Sequence, residues 1–185
     1  TLCQILRRVV INAWIGLGSN LEEPVDQLGE ALKRLDAADA IGVLKTSSFY
    51  RTPPWGDDNQ DDFINAVAQI ETTLEPVPLM RVLQSIEDSM GRRRGTRRWG
   101  PRLIDLDLLL YGDRICRTDE LELPHPCLHE RAFVLVPLYE LDASLHIPGL
   151  GSVESFLQQA DCSGISRLDT QLPDQHAGLG QNAAR

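Results

Sequence analysis

The chain has 185 residues, of which 42% are hydrophobic and 24% are charged, and its formal net charge is −9. This length fits a single domain with a substantial hydrophobic core, and the composition is that of a soluble globular protein rather than a disordered or fibrous one. Because an acidic surface repels phosphate groups, broad binding to nucleic acid or to an anionic membrane is not expected. The longest apolar runs are shorter than the roughly 20 residues that a membrane-spanning helix needs.

The N-terminus and the cysteines favour a cytoplasmic protein. Residues 1–8 lack the order of basic, apolar and small residues that marks a secretory signal. The four cysteines are scattered without a CxxC pair, which in the cytosol favours free thiols. We expect an N-terminal extension over residues 1–8, one domain over residues 9–162 and a flexible tail over residues 163–185. We also expect a monomer, because the pattern shows no surplus apolar surface.

The first half of the chain predicts two strands and a helix. Residues 9–15 are rich in β-branched side chains and predict a buried strand, and the glycines in residues 16–20 predict a tight turn after it. Apolar residues then recur at steps of three and four over about residues 22–38, which predicts an amphipathic helix. A strand over residues 41–50 is expected to end before Pro53 and Pro54, which lack backbone donors.

The second half predicts a strand, a helix and a last strand. Residues 63–70 resume the strand pattern, residues 78–90 place apolar side chains on one helical face, and Gly91 is placed to end that helix. Residues 103–111 predict the fourth strand, whereas the apolar segment 133–139 has no decisive period. The order β-α-β-β-α-β predicts an α+β, ferredoxin-like fold: a four-stranded, mainly antiparallel sheet with helices packed on it, plus C-terminal additions.

A basic segment interrupts the acidic chain. It contains six arginines, namely Arg92, Arg93, Arg94, Arg97, Arg98 and Arg102. The planar fork of a guanidinium group matches two phosphate oxygens, and a loop with glycines and Trp99 can close over a polyphosphate. A solvated basic face and a nucleic-acid patch with Trp99 as a stacking platform are the other interpretations. Both are less favoured, because the carboxylates that follow would repel a nucleic-acid backbone unless metal were present.

Asp105 and Asp107 follow the arginines directly. Residues two apart in a strand project from one face with Cα atoms roughly 6.5 Å apart, while Leu106 and Leu108 would point into the core. Two such carboxylates can hold one or two hard cations, such as Mg²⁺, together with phosphate oxygens. By itself the motif favours a strand with a solvated acidic face, and the adjoining arginines shift the prediction to a site for metal and phosphate.

Three other motifs have weaker chemical implications. The glycines at positions 95 and 100 are not followed by the Lys and Ser/Thr of a P-loop, and residues 16–18 lack the third glycine of a dinucleotide fingerprint. His125, Cys127 and His129 alternate as in a zinc site, but a structural zinc needs a fourth ligand, and the alternating prolines favour an extended surface segment. His125 is either a phosphate donor near the site or a capped loop histidine.

A set of short motifs resembles a known enzyme family. In chain order these motifs are Gly18-Ser19-Asn20-Leu21, Ser48-Phe49-Tyr50-Arg51-Thr52-Pro53-Pro54, Phe63-Ile64-Asn65-Ala66, Arg98-Trp99-Gly100-Pro101-Arg102-Leu103-Ile104-Asp105-Leu106-Asp107, Leu123-Pro124-His125-Pro126 and Glu130-Arg131-Ala132-Phe133. Together they resemble the 6-hydroxymethyl-7,8-dihydropterin pyrophosphokinases of folate biosynthesis over about residues 9–141. The fourth motif is the most specific.

The resemblance implies an enzyme that transfers the diphosphate of ATP to the hydroxymethyl group of the reduced pterin and releases AMP. It implies two Mg²⁺ ions held by Asp105 and Asp107, and phosphates steadied by Arg92 and Arg102; these four are the implied catalytic residues. The implied ATP-binding residues are Gln84, Glu87, Arg92, Arg94, Trp99, Arg102 and His125.

The resemblance also implies a pterin pocket. The ring would lie between Phe63 and Phe133, with Asn65 and Thr52 bonding its polar edge, since aromatic faces and an amide suit a flat heterocycle. The implied pterin-binding residues are Thr52, Pro53, Trp55, Phe63, Asn65, Arg131 and Phe133. Trp55 is bulkier than the small aliphatic residue common at this position in the family, and it could narrow or reshape the pocket.

Two other functions remain as alternatives from the residues alone. One is a non-catalytic binding module that holds RNA or a phosphorylated partner with the arginine loop. This alternative gives no functional role to Asp105, Asp107 and Asn65. The other is a generic nucleotide kinase that transfers one phosphate. The nucleotide product separates this kinase from the implied enzyme, because the kinase releases ADP instead of AMP.

Overall fold

The computed structural model describes residues 9–54, 56, 59–91 and 100–169. Several sequence predictions fall outside these residues, namely those for the extension over residues 1–8, for Trp55, Arg92, Arg94 and Trp99, and for the end of the tail.

The centre of the molecule is a six-stranded antiparallel sheet. From one edge to the other its order is β10 (Ser166–Arg167), β3 (Tyr50–Thr52), β4 (Phe63–Thr72), β1 (Ile11–Ser19) and β5 (Asp105–Tyr111), and β2 (Ile41–Thr46) also pairs with β4. Two small hairpins pair β6 (Cys116–Arg117) with β7 (Glu122–Leu123) and β8 (His146–Ile147) with β9 (Gly151–Ser152).

Two helices complete the predicted ferredoxin-like pattern. α1 (Pro24–Asp36) follows β1 and α2 (Pro76–Ser89) follows β4, so the chain runs β-α-β-β-α-β around the strand order β2-β4-β1-β5. Each helix begins with proline, which lacks the N–H that would be unpaired there anyway. Gly91 ends α2 with a φ of +88°, a conformation that glycine adopts without strain. The α+β prediction and the two helix predictions are confirmed.

Both faces of the sheet are covered, which explains why its strands are apolar on both sides. Ala13, Ile15 and Leu17 belong to the core that also contains the buried leucines of α1 and α2, whereas Trp14 packs in a second core. That second core contains α3 (Ala132–Leu141) and α4 (Val153–Leu157), and a short 3₁₀ helix, Leu128–Glu130, precedes α3. The segment 133–139 is thus helical, and none of the helices in the described ranges is both long and apolar enough to cross a membrane.

The segment predicted as one strand, residues 41–50, instead forms β2 and the start of β3. Two other sequence predictions are corrected by the pairing between strands. Residues 16–20 do not form a tight turn, because β1 continues to Ser19, paired with β4 over residues 11–19 and with β5 over residues 13–18. Residues 163–169 are not simply part of a tail, because Ser166–Arg167 adds a strand to the sheet by pairing with β3. In both cases pairing with distant residues overrides a local composition that favoured turn or coil.

Candidate active site

A cavity of about 220 Å³ opens at one edge of the sheet, where β1 ends and where β4 and β5 begin. Because β1 is antiparallel to both neighbours, its last residues lie beside the first residues of β4 and β5, so Gly18 pairs with both Asn65 and Asp105. Two groups of predicted site residues line this one cavity. They are Arg102, Asp105, Asp107 and His125 on the predicted phosphate side, and Thr52, Pro53, Phe63, Asn65, Arg131 and Phe133 on the predicted pterin side.

The two aspartates occupy alternate positions at the start of β5. Leu106 and Leu108 are 6% and 5% exposed, which leaves Asp105 and Asp107 on the opposite face, where both line the cavity. The backbone between them is held from behind, because the N–H of Leu106 donates to Oε1 of buried Glu87 at 2.7 Å. This bond attaches β5 to α2 and fixes the strand that carries both carboxylates.

The charges around Asp107 oppose one another. Burial raises the pKa of Asp107, and the nearby Asp105 carboxylate raises it further, while His125, Arg131 and Arg102 lower it. Its side chain is still 40% exposed, so water reaches the carboxylate through the cavity. Arg102 pairs with Asp105 through Nη1 and Oδ2. A cation bound here would relieve the repulsion between the two carboxylates.

The donor set fits a hard cation that brings ligands of its own. Within residues 9–54, 56, 59–91 and 100–169, no group of three or more His, Cys, Asp or Glu side chains is placed to hold a metal ion. Two carboxylates facing a hydrated cavity are what Mg²⁺ uses when phosphate oxygens and water complete its coordination shell. Asp105 and Asp107 are therefore suited to a metal that arrives with a phosphorylated ligand.

His125 lines the cavity beside β5. Its backbone N–H donates to the carbonyl of Leu109 at 2.9 Å, and its Nε2 lies 3.9 Å from Oδ2 of Asp107. This position suits the predicted phosphate donor better than a histidine that caps a surface loop. His129 does not line the cavity, and its Nε2 lies 3.7 Å from Oε1 of Glu130.

The polar end of the predicted pterin side is built from β3 and β4. Asn65 and Thr52 are 8% and 2% exposed, and Nδ2 of Asn65 donates to Oγ1 of Thr52 at 2.8 Å. Gly18 lies directly across from this amide, and a Cβ atom at Gly18 would be only 2.8 Å from Oδ1 of Asn65. A side chain at position 18 would therefore displace this amide.

Two half-buried aromatic rings provide the apolar part of the cavity. Phe63 is the first residue of β4, and Phe133 lies in the first turn of α3, so two different elements supply the rings. The guanidinium carbon of Arg131 lies 5.7 Å from the centre of the Phe133 ring. This cation-π contact holds the ring and the positive charge in one place before any ligand binds.

A second pocket continues from the carboxylates along α2. Met80, Gln84 and Glu87 line it together with Arg102 and the two aspartates, so the predicted nucleotide residues of α2 lie next to the predicted metal site.

Sequence reasoning assigned no individual role to Gly18, Asn20 or Met80. A glycine inside a strand pattern is a recognised sign of close backbone approach and could have identified Gly18. Asn20 is 4% exposed and bonds residues 40, 41 and 82 positions away, so only the fold reveals its contacts.

Solved structures with the same architecture confirm the fold. Two chains of Plasmodium falciparum HPPK-DHPS, wild type, one with pterin and p-hydroxybenzoate and one with STZ-DHP, superpose with TM-scores of 0.63 and 0.62. Each is 14% identical and matches 82% of this chain. The match covers only 42% and 41% of the Plasmodium chains, so this chain spans less than half of their length.

Relatives with closer sequences identify the family. A protein from Haemophilus influenzae is 45% identical over 150 residues, which cover 81% of this chain and 93% of that protein. A protein from Methylorubrum extorquens is 46% identical over 157 residues, which cover 85% and 98%. Both are named 2-amino-4-hydroxy-6-hydroxymethyldihydropteridine pyrophosphokinase. Since residues 14–143 also match the sequence profile of 7,8-dihydro-6-hydroxymethylpterin-pyrophosphokinase, the chain belongs to the HPPK family.

Proposed function

We propose that this chain catalyses the Mg²⁺-dependent transfer of the diphosphate of ATP to the hydroxymethyl group of 6-hydroxymethyl-7,8-dihydropterin, with release of AMP. The observation that carries the proposal is a single cavity with two unlike sides. Asp105 and Asp107 lie on one side, and the rings of Phe63 and Phe133 lie on the other. The names of the relatives supply the reaction class.

On the nucleotide side, the residues present suit the triphosphate of ATP. Asp105 and Asp107 would hold two Mg²⁺ ions, which when bound supply neutralisation of the phosphate charge. Arg102 lines both pockets and can reach a phosphate between them. His125 lines the cavity beside Asp107 and can donate to a phosphate there. Gln84 and Glu87 lie where the nucleoside would extend along α2.

On the pterin side, the residues suit a flat ring with a hydrogen-bonding edge. Phe63 and Phe133 offer aromatic surface, which gains stacking energy with a planar heterocycle. Asn65 is fixed by its bond to Thr52. Its amide has a second hydrogen and a carbonyl oxygen beyond that bond, and these match the donor and acceptor of a pyrimidine-like edge.

The proposed chemistry depends on positioning and charge more than on covalent help from the protein. The hydroxymethyl oxygen attacks the β-phosphorus of ATP and forms the new O–P bond. The bond from the β-phosphorus to the oxygen bridging the α and β phosphates breaks, and AMP leaves with the bonding electrons. The hydroxyl proton passes to solvent. Arg102 and His125 would bind the transferred group through this step, and the pterin pocket would keep the acceptor oxygen in line with it.

Product identity tests the proposal. The protein is incubated with ATP, Mg²⁺ and 6-hydroxymethyl-7,8-dihydropterin, and nucleotides and pterins are separated by chromatography. The expected result is AMP and diphosphorylated pterin in equal amounts, with neither formed when EDTA replaces Mg²⁺. Formation of ADP would point to a kinase that transfers one phosphate, and failure to form any product would leave a binding module as the better description.

A further inference from the structure

Asn20 stands where β1 leaves the sheet between its two neighbours. The regular pairing of β1 ends with Ser19 opposite Ile64 of β4 and with Gly18 opposite Asp105 of β5. Asn20 comes next and is 4% exposed, so its polar side chain needs partners inside the protein. It finds them on both sides, in the segment that precedes β5 and in the segment that precedes β4.

The bonds toward β5 hold the backbone of Arg102. Oδ1 of Asn20 accepts from the N–H of Arg102 at 2.8 Å, and the N–H of Asn20 donates to the carbonyl of Arg102 at 3.1 Å. These two bonds continue the contact between β1 and β5 past the end of the strand. Because the side chain of Arg102 pairs with Asp105, the placement of the phosphate side of the cavity depends on this contact.

The bonds toward β4 hold the segment that leads into Phe63. Nδ2 of Asn20 donates to Oε1 of Gln60 and to the carbonyl of Asp61, both at 3.1 Å. Phe63 follows two residues later as the first residue of β4 and lines the pterin side. The single amide of Asn20 thus uses its acceptor on one side of the cavity and both of its donors on the other.

We propose that Asn20 is a positioning residue that sets the distance between the transferred phosphate and the pterin hydroxyl. This inference rests on the proposed function. Transfer requires reacting atoms about 3–3.5 Å apart and in line, and an error of about 1 Å can lower the rate roughly 100-fold. Arg102 belongs to the donor side and Phe63 to the acceptor side, and Asn20 bonds the segments that carry them. Both substrates would still bind without this link, but their reacting atoms would meet less often.

The test compares a substitution that replaces the NH₂ group of the amide by oxygen with a matched control. Asn20→Asp keeps the oxygen that accepts from Arg102 but removes both donated bonds and places a carboxylate beside two oxygens. Asn12→Asp makes the same chemical change at an exposed position of the same strand, outside the cavity. For each protein we measure kcat, the KM of both substrates, the Kd of a non-hydrolysable ATP analogue with Mg²⁺, and the near-ultraviolet circular dichroism spectrum.

The expected result is a roughly 100-fold lower kcat for Asn20→Asp, with the Kd of the ATP analogue within about threefold of the wild-type value. Asn12→Asp should match the wild type in every measurement. A folded Asn20→Asp variant with near wild-type kcat would overturn the inference, and so would a loss of analogue affinity as large as the loss of kcat. Lack of AMP formation by the wild type would instead refute the proposed function.

A second variant tests the positioning role of Asn20 if Asn20→Asp does not fold. Gln60→Ala removes only one acceptor of the amide and leaves the bonds to Asp61 and Arg102 in place. We expect a smaller loss of kcat, about 3-fold to 10-fold, with analogue binding unchanged. An unchanged kcat in this variant would contradict a positioning role for the contact.

Discussion

Gly18→Ala tests whether the pterin pocket depends on the close approach of β1 and β4. The added Cβ would lie 2.8 Å from Oδ1 of Asn65, whereas ordinary contacts begin near 3.4 Å, so the amide must retreat by about 0.6 Å. Asn65 cannot do so freely, because its Nδ2 is held 2.8 Å from Oγ1 of Thr52. Since Gly18 is not among the residues with positive φ, the backbone itself accepts alanine. The effect is therefore confined to the amide.

The expected loss is on the pterin side. A displaced amide forfeits a hydrogen bond worth about 1 kcal/mol and misaligns the acceptor, so we expect a KM for the pterin about 5-fold higher and a kcat/KM about 100-fold lower. The Kd of a non-hydrolysable ATP analogue with Mg²⁺ should stay near the wild-type value. Steady-state kinetics with the pterin varied, together with calorimetric titration of the analogue, measure both quantities.

Gly29→Ala is the matched control. Gly29 lies inside α1, and no atom outside the helix backbone lies within 4 Å of a Cβ placed there. Alanine should leave both substrates' KM unchanged and stabilise the helix by about 1 kcal/mol, which raises the Tm by roughly 2–4 °C. If Gly18→Ala also kept the wild-type KM for the pterin, the assigned contact between Gly18 and Asn65 would have no part in the pocket.

Further predictions concern the acidic pair, the arginine, the metal and a buried tyrosine. Asp107→Asn should abolish AMP formation yet raise the Tm in EDTA, because burial and Asp105 both raise the pKa of Asp107 and so disfavour its charged form. The control Asp113→Asn, at an exposed turn, should change neither AMP formation nor the Tm. A lower Tm for Asp107→Asn would contradict this account. Arg102→Ala should slow AMP release by roughly 10³-fold or more, and near-normal kcat would contradict its role. Mg²⁺ with a non-hydrolysable ATP analogue should raise the Tm of the wild type and not of Asp107→Asn, whereas RNA should raise neither. Burial and the bond to Glu140 raise the pKa of Tyr50 to about 12, above the usual tyrosine value of 10.0. The stabilising contribution of the neutral Tyr50 hydroxyl to the free energy of unfolding is thus full below pH 10 and is lost between pH 10 and 12. Between pH 9 and 11.5, urea unfolding should show a loss about 2 kcal/mol larger for the wild type than for Tyr50→Phe.

The parts of the fold that could be predicted are those with a clear period. α1 and α2 each bury one face, and their apolar residues recur at helical spacing, so the sequence predicts both helices within a few residues of their ends. Likewise, the alternation of Asp105, Leu106, Asp107 and Leu108 predicts which side chains share a face, and β5 has this alternation. In these elements the local pattern and the tertiary packing agree.

The sequence did not predict α3 as a helix, because its apolar residues do not recur at helical spacing. All of its residues except Glu140 are apolar or aromatic, so such side chains occur nearly all round the helix, and Pro137 lies inside it. A short apolar run with a proline looks the same in sequence whether it forms a strand or a buried helix. Only the second core, which α3 forms with the other face of the sheet, fixes its conformation.

The site was predicted best where one motif contains its residues and least where the fold joins distant ones. Asp105 and Asp107 come from a single short block, whereas the contacts of Asn20 reach residues 40 to 82 positions away. Such contacts leave no local pattern, because the partners include backbone groups whose identity the sequence does not specify. A resemblance to a family can mark Asn20 as part of a motif, but it cannot say what the side chain bonds.

The end of β1 determines where several residues of this site lie, although few of its own side chains line the cavity. Gly18 has no side chain, so the amide of Asn65 can approach the strand closely. Asn20 contributes an amide whose bonds join the segments before β4 and β5. Neither residue needs to touch a substrate. Gly18 affects the shape of the acceptor pocket, and Asn20 sets the distance between that pocket and the phosphate side. Loss of function should therefore be severe for substitutions at these positions even where the free energy of unfolding changes little, because the strand end determines alignment while the two cores on the faces of the sheet determine stability.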